Sequence, residues 1–287
     1  MSVTTADATL VRRAPSGIPA RVRQSIRDSL LVARRNVVTL TRVPAVFVFE
    51  LVQPIMFVLL FVYIYADQLA TLPPGLNYVH FLMPGIFIQN ALFGSTNTAI
   101  GLAEDFKTGV IDRFRSLPMA RSAVVAGRTT SDVIKNGLLL TIVIGVGYLV
   151  GFTFQNGFFN AIGMYALVLA VGFTFSWISA CIGLSLKQVE AVQAASFTWI
   201  FPVVFVSSTF VPVDGMASFL QPIARANPVT VWCNLARFLA NGEVGILDAA
   251  GQPVDTFEGL LIKSVVWIAV LCGIFIPLAI RLYRRLK

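Results

Sequence analysis

The chain has 287 residues, 56% hydrophobic and only 13% charged, with a net charge of +8. Soluble domains carry about 25% charged residues, so this composition excludes an ordinary soluble protein and indicates a membrane one. The basic residues fall in blocks between long apolar stretches and no nucleic-acid module is present, which removes DNA or RNA as a partner.

Residues 1–18 read as a disordered leader, bounded by Ser16, Gly17 and Pro19. Over residues 19–43 the spacing predicts an amphipathic helix. Val22, Ile26, Leu30, Ala33, Val37 and Leu40 fall within about 80° of a helical wheel, opposite Arg23, Arg27, Arg34, Arg35 and Arg42. Such a stripe backed by arginines suits a helix lying in the headgroup layer. A domain of six transmembrane helices is expected over 44–287.

Apolar runs long enough for about 30 Å of hydrocarbon, roughly 20 residues each, occur near 45–65, 81–103, 133–154, 161–185, 191–211 and 259–281. Between the last two, residues 212–240 are apolar but broken by prolines and charges, the pattern of a re-entrant helical pair. All but Arg225, Arg237 and Lys263 of the 22 basic residues lie in the two termini, the 104–135 stretch or beside the fourth run. The intervening loops carry Asp67, Asp214, Glu243, Asp248, Asp255 and Glu258 instead. Both termini are therefore expected in the cytoplasm of a multi-pass plasma membrane protein.

Three polar or aromatic features are candidate parts of a substrate path. Glu50 is an ionisable residue inside the first run, beside Gln53 and Pro54, and serves either a structural role or a path. Gln89, Asn90, Thr96 and Asn97 cover about 120° of the second run, as inter-helix glue or as a polar pathway. Phe201 and Phe205, near Pro202 and followed by Ser207, Ser208 and Thr209, face either lipid or a large apolar cargo. Nothing suggests catalysis. There is no phosphate-binding Gly-x-x-x-x-Gly-Lys-Ser/Thr loop and no hydrolase motif. One histidine and three scattered cysteines give no metal set. No cofactor is expected on this chain.

The cytoplasmic stretch 104–132 contains Glu104, Asp105, Phe106, Gly109, Arg113, Phe114, Leu117, Pro118, Met119 and Arg121, then Gly127, Arg128 and Asp132. A second element, Asn227-Pro228, is followed by Arg237. Together, in this order, they resemble the type-2 ABC exporter permeases, nearest the daunorubicin-resistance type, over residues 20–287. That resemblance implies a coupling helix in 104–132 that docks on a separate ABC ATPase. Two permeases, identical or paralogous, would join two ATPases that hold the ATP and magnesium. It implies export of a hydrophobic drug or complex lipid from a bacterial inner membrane. A polysaccharide or glycolipid exporter is the alternative within the superfamily, and a secondary transporter or membrane scaffold outside it. Phe makes up 23 residues and lacks the polar edge that suits sugars, which favours lipophilic cargo.

Overall fold

The computed structural model describes residues 44–65, 72, 75–109, 121–248 and 250–285. The leader and interface helix expected over 1–43, and residues 110–120 of the coupling stretch, lie outside the described residues.

The described chain is all α. Helix α1 spans Pro44–Tyr65, α2 Tyr78–Gly94, α3 Thr96–Lys107, α4 Arg121–Leu149, α5 Gly157–Leu186 and α6 Val189–Phe205. After a 3₁₀ turn at Val213–Gly215 come α7 (Gln221–Ala226) and α8 (Pro228–Asn241). A second 3₁₀ turn, Gly242–Ile246, leads to α9 (Phe257–Arg285). The only β feature among these residues is a bridge between Leu247 and Pro253.

Every apolar run of the sequence falls on a helix, but their lengths differ. Among the described residues, three helices are long and apolar enough to cross a membrane: Ala126–Leu149, Gly157–Leu186 and Phe257–Arg284. Glu50–Ile64 and Val189–Phe205 are apolar but shorter. The second run is shortened by a break at Ser95, where the Ser95 and Thr96 hydroxyls donate to the carbonyls of Leu92 and Phe93. Hydroxyls that bond back along a helix loosen and bend it. Where the broken stretch 212–240 is expected to re-enter, the chain forms the 3₁₀ turn, α7 and α8.

Helix α5 is the centre of the bundle, packed against α2, α3, α4, α8 and α9. Two thirds of its apolar window is buried (67%), against 6% for α9, whose Ile262, Val265, Val266 and Ile274 point outward. Membrane helices associate closely where small residues let backbones meet. At Gly183 of α5 an added Cβ would lie 2.5 Å from the Ala99 carbonyl oxygen of α3, so glycine is needed there.

Candidate functional site

At one end of the bundle α3 and α4 are joined by charges. Arg128 lies 3.8 Å from Asp105 and 4.0 Å from Asp132, and its Nη2 donates to the Asn97 carbonyl at 3.3 Å. The Thr98 hydroxyl donates to Asp132, which is buried. One turn further on, Lys135 Nζ reaches Glu50 Oε1 of α1 at 2.5 Å. Arg128, Asp132 and Lys135 occur at i, i+4 and i+7, which puts all three on one face of α4. Gly101 makes room for the guanidinium: a Cβ there would sit 1.5 Å from Arg128 Nη2. Buried charges are costly unless paired; here Arg128 pairs with Asp105 and Lys135 with Glu50 across helices, while Asp132 pairs with Arg128 along α4. In the sequence Lys135 falls among the basic residues of the 104–135 stretch, and its i+3 spacing from Asp132 is the signal of a shared helix face.

The described residues of the expected coupling stretch lie beside this cluster. Glu104 is exposed, and Phe106 is half-buried beneath Lys187 Nζ, 5.7 Å from the ring centroid. Lys187 ends α5 in the left-handed region at φ 57°. Gly109, at φ +67°, closes α3 by donating to the Phe106 carbonyl. Arg113, Phe114, Leu117 and Pro118 lie outside the described residues, and Arg121 is placed only as the first residue of α4.

A cleft opens between α1 and α2, lined by Gln53, Pro54, Ile86, Gln89, Asn90 and Phe93. Gln89 and Asn90 thus share a surface with the face of α1 that carries Glu50. Asn97, beyond the Ser95 break, meets Arg128 instead through its carbonyl. An aromatic row continues outward from the cleft. Ring centroids are 5.3 Å apart for Phe93 and Phe201, 5.8 Å for Phe201 and Phe205, 5.2 Å for Phe205 and Phe210, and 4.5 Å for Phe210 and Phe61. Phe201 and Phe205 remain exposed. The surface of α1, α2 and α6 is therefore polar in one half and phenyl-rich in the other.

The Asn227-Pro228 element joins α6 to α8. Asn227 Oδ1 accepts from Val229 N at 2.9 Å, a helix N-cap, and Pro228 occupies the first helical position, where its missing N–H costs nothing. The same side chain's Nδ2 donates to the Val203 and Val206 carbonyls, each at 2.7 Å, at the frayed end of α6. Asp caps a helix as well as Asn but cannot donate. Asn227→Asp sets a carboxylate against the Val203 and Val206 carbonyls, so it is expected to lower the melting temperature of the purified protein more than Asn227→Ala, which loses the cap, worth about 1 kcal/mol, and both donations. The opposite order would reduce Asn227 to a cap alone.

Arg237 of α8 is fully buried. It donates to the Phe81 carbonyl at 2.8 Å, to Ser208 Oγ at 3.0 Å, to Asn234 Oδ1 at 3.1 Å, to the Thr209 carbonyl at 3.3 Å and to the Ser208 carbonyl. Its guanidinium also lies 3.6 Å from the Phe81 ring centroid. This side chain ties α8 to α2 and to the segment that follows α6. No group of three or more metal-binding side chains occurs among the described residues.

The family model described as ABC-2 type transporter matches residues 28–239. The chain is 29% identical over 266 residues to a daunorubicin resistance ABC transporter permease protein of Streptomyces coeruleorubidus, covering 93% of this chain and 89% of that protein. It is 24% identical over 279 residues to a probable doxorubicin resistance ABC transporter permease protein of Mycobacterium tuberculosis, covering 96% of each. A probable multidrug ABC transporter permease of Escherichia coli K12 is 20% identical over 169 residues, 57% of this chain and 44% of that one.

Proposed function

The chain belongs to the ABC-2 type transporter family as a permease, a non-catalytic membrane subunit, and from that premise we propose a full architecture and cargo class. Six spans cross a bacterial plasma membrane: α1, α2 with α3, α4, α5, α6 and α9, with α7 and α8 as the re-entrant pair. Both termini face the cytoplasm, following the basic residues. Two permeases, identical or paralogous, join two copies of a separate ABC ATPase, which carries the ATP and magnesium.

Residues 104–121 dock on the ATPase through Asp105, Phe106, Arg113, Phe114, Leu117 and Arg121. Closure of the ATPase dimer pulls on this stretch, and the charge cluster of Asp105, Arg128 and Asp132 carries the pull into α3 and α4. The Glu50–Lys135 pair passes it to α1. The cargo, a hydrophobic drug or complex lipid, moves outward along the surface of Gln89, Asn90, Phe201 and Phe205. The relatives named for daunorubicin and doxorubicin resistance support that class. The phenyl row supports it over a saccharide, since Phe offers no polar edge.

The observation that carries this reading is the family match itself, which spans both the coupling stretch and the Asn-Pro element. The test is detergent co-purification with a co-expressed ABC ATPase, followed by ATP-dependent uptake into inverted vesicles. Equal recovery of the ATPase with uptake supports the reading; absence of any ATPase under gentle extraction removes it. Orientation is tested separately. An impermeant maleimide should label Asp248→Cys in intact cells and Ser116→Cys only after permeabilisation, and the reverse pattern would refute the topology.

A further inference from the structure

Helices α2 and α3 meet in a joint rather than a continuous rod. Gly94-Ser95 separates them, and a Gly/Ser pair is among the few sequence causes of a bent helix. The Ser95 N–H is shared between the carbonyls of Ala91 and Leu92, each at 3.2 Å, so it stands between α and 3₁₀ spacing. Thr98 N donates to the Ser95 carbonyl at 3.1 Å, again three residues back. A 3₁₀ step inside a longer helix has poorer hydrogen-bond geometry and often marks a hinge. The Ser95 and Thr96 hydroxyls donate to the Leu92 and Phe93 carbonyls at this step. Within hydrocarbon no water can replace a lengthened helical bond, and hydroxyls placed in this way keep those carbonyls satisfied as the joint bends.

The two arms are held by different partners. Pro84 has no N–H, so the His80 carbonyl in the first turn of α2 lacks its helical donor. Asn241 Nδ2 of α8 supplies one at 2.9 Å, and Arg237 of the same helix donates to the neighbouring Phe81 carbonyl at 2.8 Å. The α2 arm is thus pinned to α8. The α3 arm is tied instead to the beginning of α4, through Asp105 with Arg128 and Thr98 with Asp132. Helix α5 packs against both arms. At the joint its Ser179 hydroxyl lies 3.1 Å from that of Ser95, and both residues are fully buried.

We infer that Ser95 is a positioning residue for coupling: the α3 arm tilts about the Ser95–Ser179 contact with the beginning of α4, while the α2 arm stays fixed to α8. Hinge motion concentrates in a few residues at the ends of elements, which absorb the change in φ and ψ. This deepens the exporter reading and rests on it for the pull that moves the arm.

The joint is tested first on the permease alone, by solid-state NMR relaxation of isotope-labelled protein in phosphatidylcholine–phosphatidylglycerol bilayers. Backbone order should be lower at Gly94, Ser95 and Thr96 than at Ile88 or Leu102 on either side. Ser95→Ala with Thr96→Val removes both hydroxyls and should raise the order of the joint to that of the flanking helices. Thr96→Ser keeps its hydroxyl and should match the parent. If the double variant inserts poorly, Thr96→Val alone should show the same change in smaller measure. The second arm uses the complex with a co-expressed ABC ATPase in inverted vesicles, with daunorubicin or a fluorescent phospholipid as probe, whichever the parent transports. The double variant should still hydrolyse ATP, while its uptake per ATP hydrolysed falls about tenfold, within the range for substitutions along a coupling path. A merely structural role would lower the amount of inserted protein and leave that ratio alone. Uniform order across the joint in the parent overturns the inference. So does a joint that the double variant leaves unchanged, or a stiffened joint with undiminished uptake per ATP. If no ATPase co-purifies, the exporter reading fails, and the NMR comparison still decides whether the joint exists.

Discussion

Arg237→Met is expected to leave little or no folded permease in the membrane, the largest stability loss of any single substitution in the described residues. The carbonyls of Ser208 and Thr209 lie past the end of α6, where no helical donor reaches them, and the guanidinium serves both. Stranding a buried acceptor costs about 1–3 kcal/mol, and the cavity left by so large a side chain adds to it, for a total on the order of 5 kcal/mol. That approaches the whole net stability of a typical domain, about 5–15 kcal/mol. A countervailing effect exists, because replacing a buried ion by an apolar residue recovers its desolvation cost. That recovery wins where both partners are replaced together. Here the partners are backbone groups that no substitution can remove, so the stranded carbonyls decide. Arg237→Lys keeps the charge but offers three donors in a compact cluster instead of five in a planar fork. It should fold partially, between the parent and the methionine variant. Fluorescence-detected gel filtration of detergent extracts after a heat ramp reads the order directly. A methionine variant as heat-stable as the parent would show that Arg237 holds nothing in place.

The legibility of this fold in the sequence was uneven, for reasons that differ by residue. The apolar runs were plain, since burial in lipid demands continuous hydrophobicity, and each one lies on a helix. The break at Ser95 was not plain, because Ser and Thr are ordinary helix residues until their hydroxyls turn back onto the carbonyls of Leu92 and Phe93. That break separates the polar strip: a wheel assumes an uninterrupted 100° per residue, and Gln89 and Asn90 face the cleft while Asn97 meets Arg128. Asn227-Pro228 was legible only as an element of the resemblance; its capping of α8 appears with the fold, and its bond to the end of α6 depends on a contact 24 residues away. The Glu50–Lys135 pair joins residues 85 positions apart. Glu50 was visible as a charge in an apolar run, whereas its partner resembled any other basic residue near a loop. Long-range pairing is set by how helices cross, which a single sequence does not encode locally.

Arg113→Glu and Phe114→Asp should each abolish co-purification of the ABC ATPase while leaving the amount of inserted permease unchanged. The argument starts from the frame around the stretch. Residues 110–120 lie in sequence between α3 and α4, and Arg128 of α4 pairs with Asp105 of α3 as well as with Asp132 of its own helix. The basic and aromatic composition of the stretch suits an apolar cleft rimmed by acids. Reversing Arg113 sets like charges against each other at such a rim, which costs several kcal/mol. A loss of about 3 kcal/mol lowers affinity more than a hundredfold, enough to empty a pull-down. Insertion should survive, because neither residue belongs to an apolar run or to the Glu50–Lys135 and Asp105–Arg128–Asp132 pairs. Arg128→Glu supplies the contrast, since it sets a third carboxylate beside Asp105 and Asp132 within the bundle and should reduce the inserted protein itself. Retention of the ATPase by both loop variants would mean that docking lies elsewhere on the permease. The exposed turn at Lys187, already in contact with Phe106, would then be the next surface to mutate.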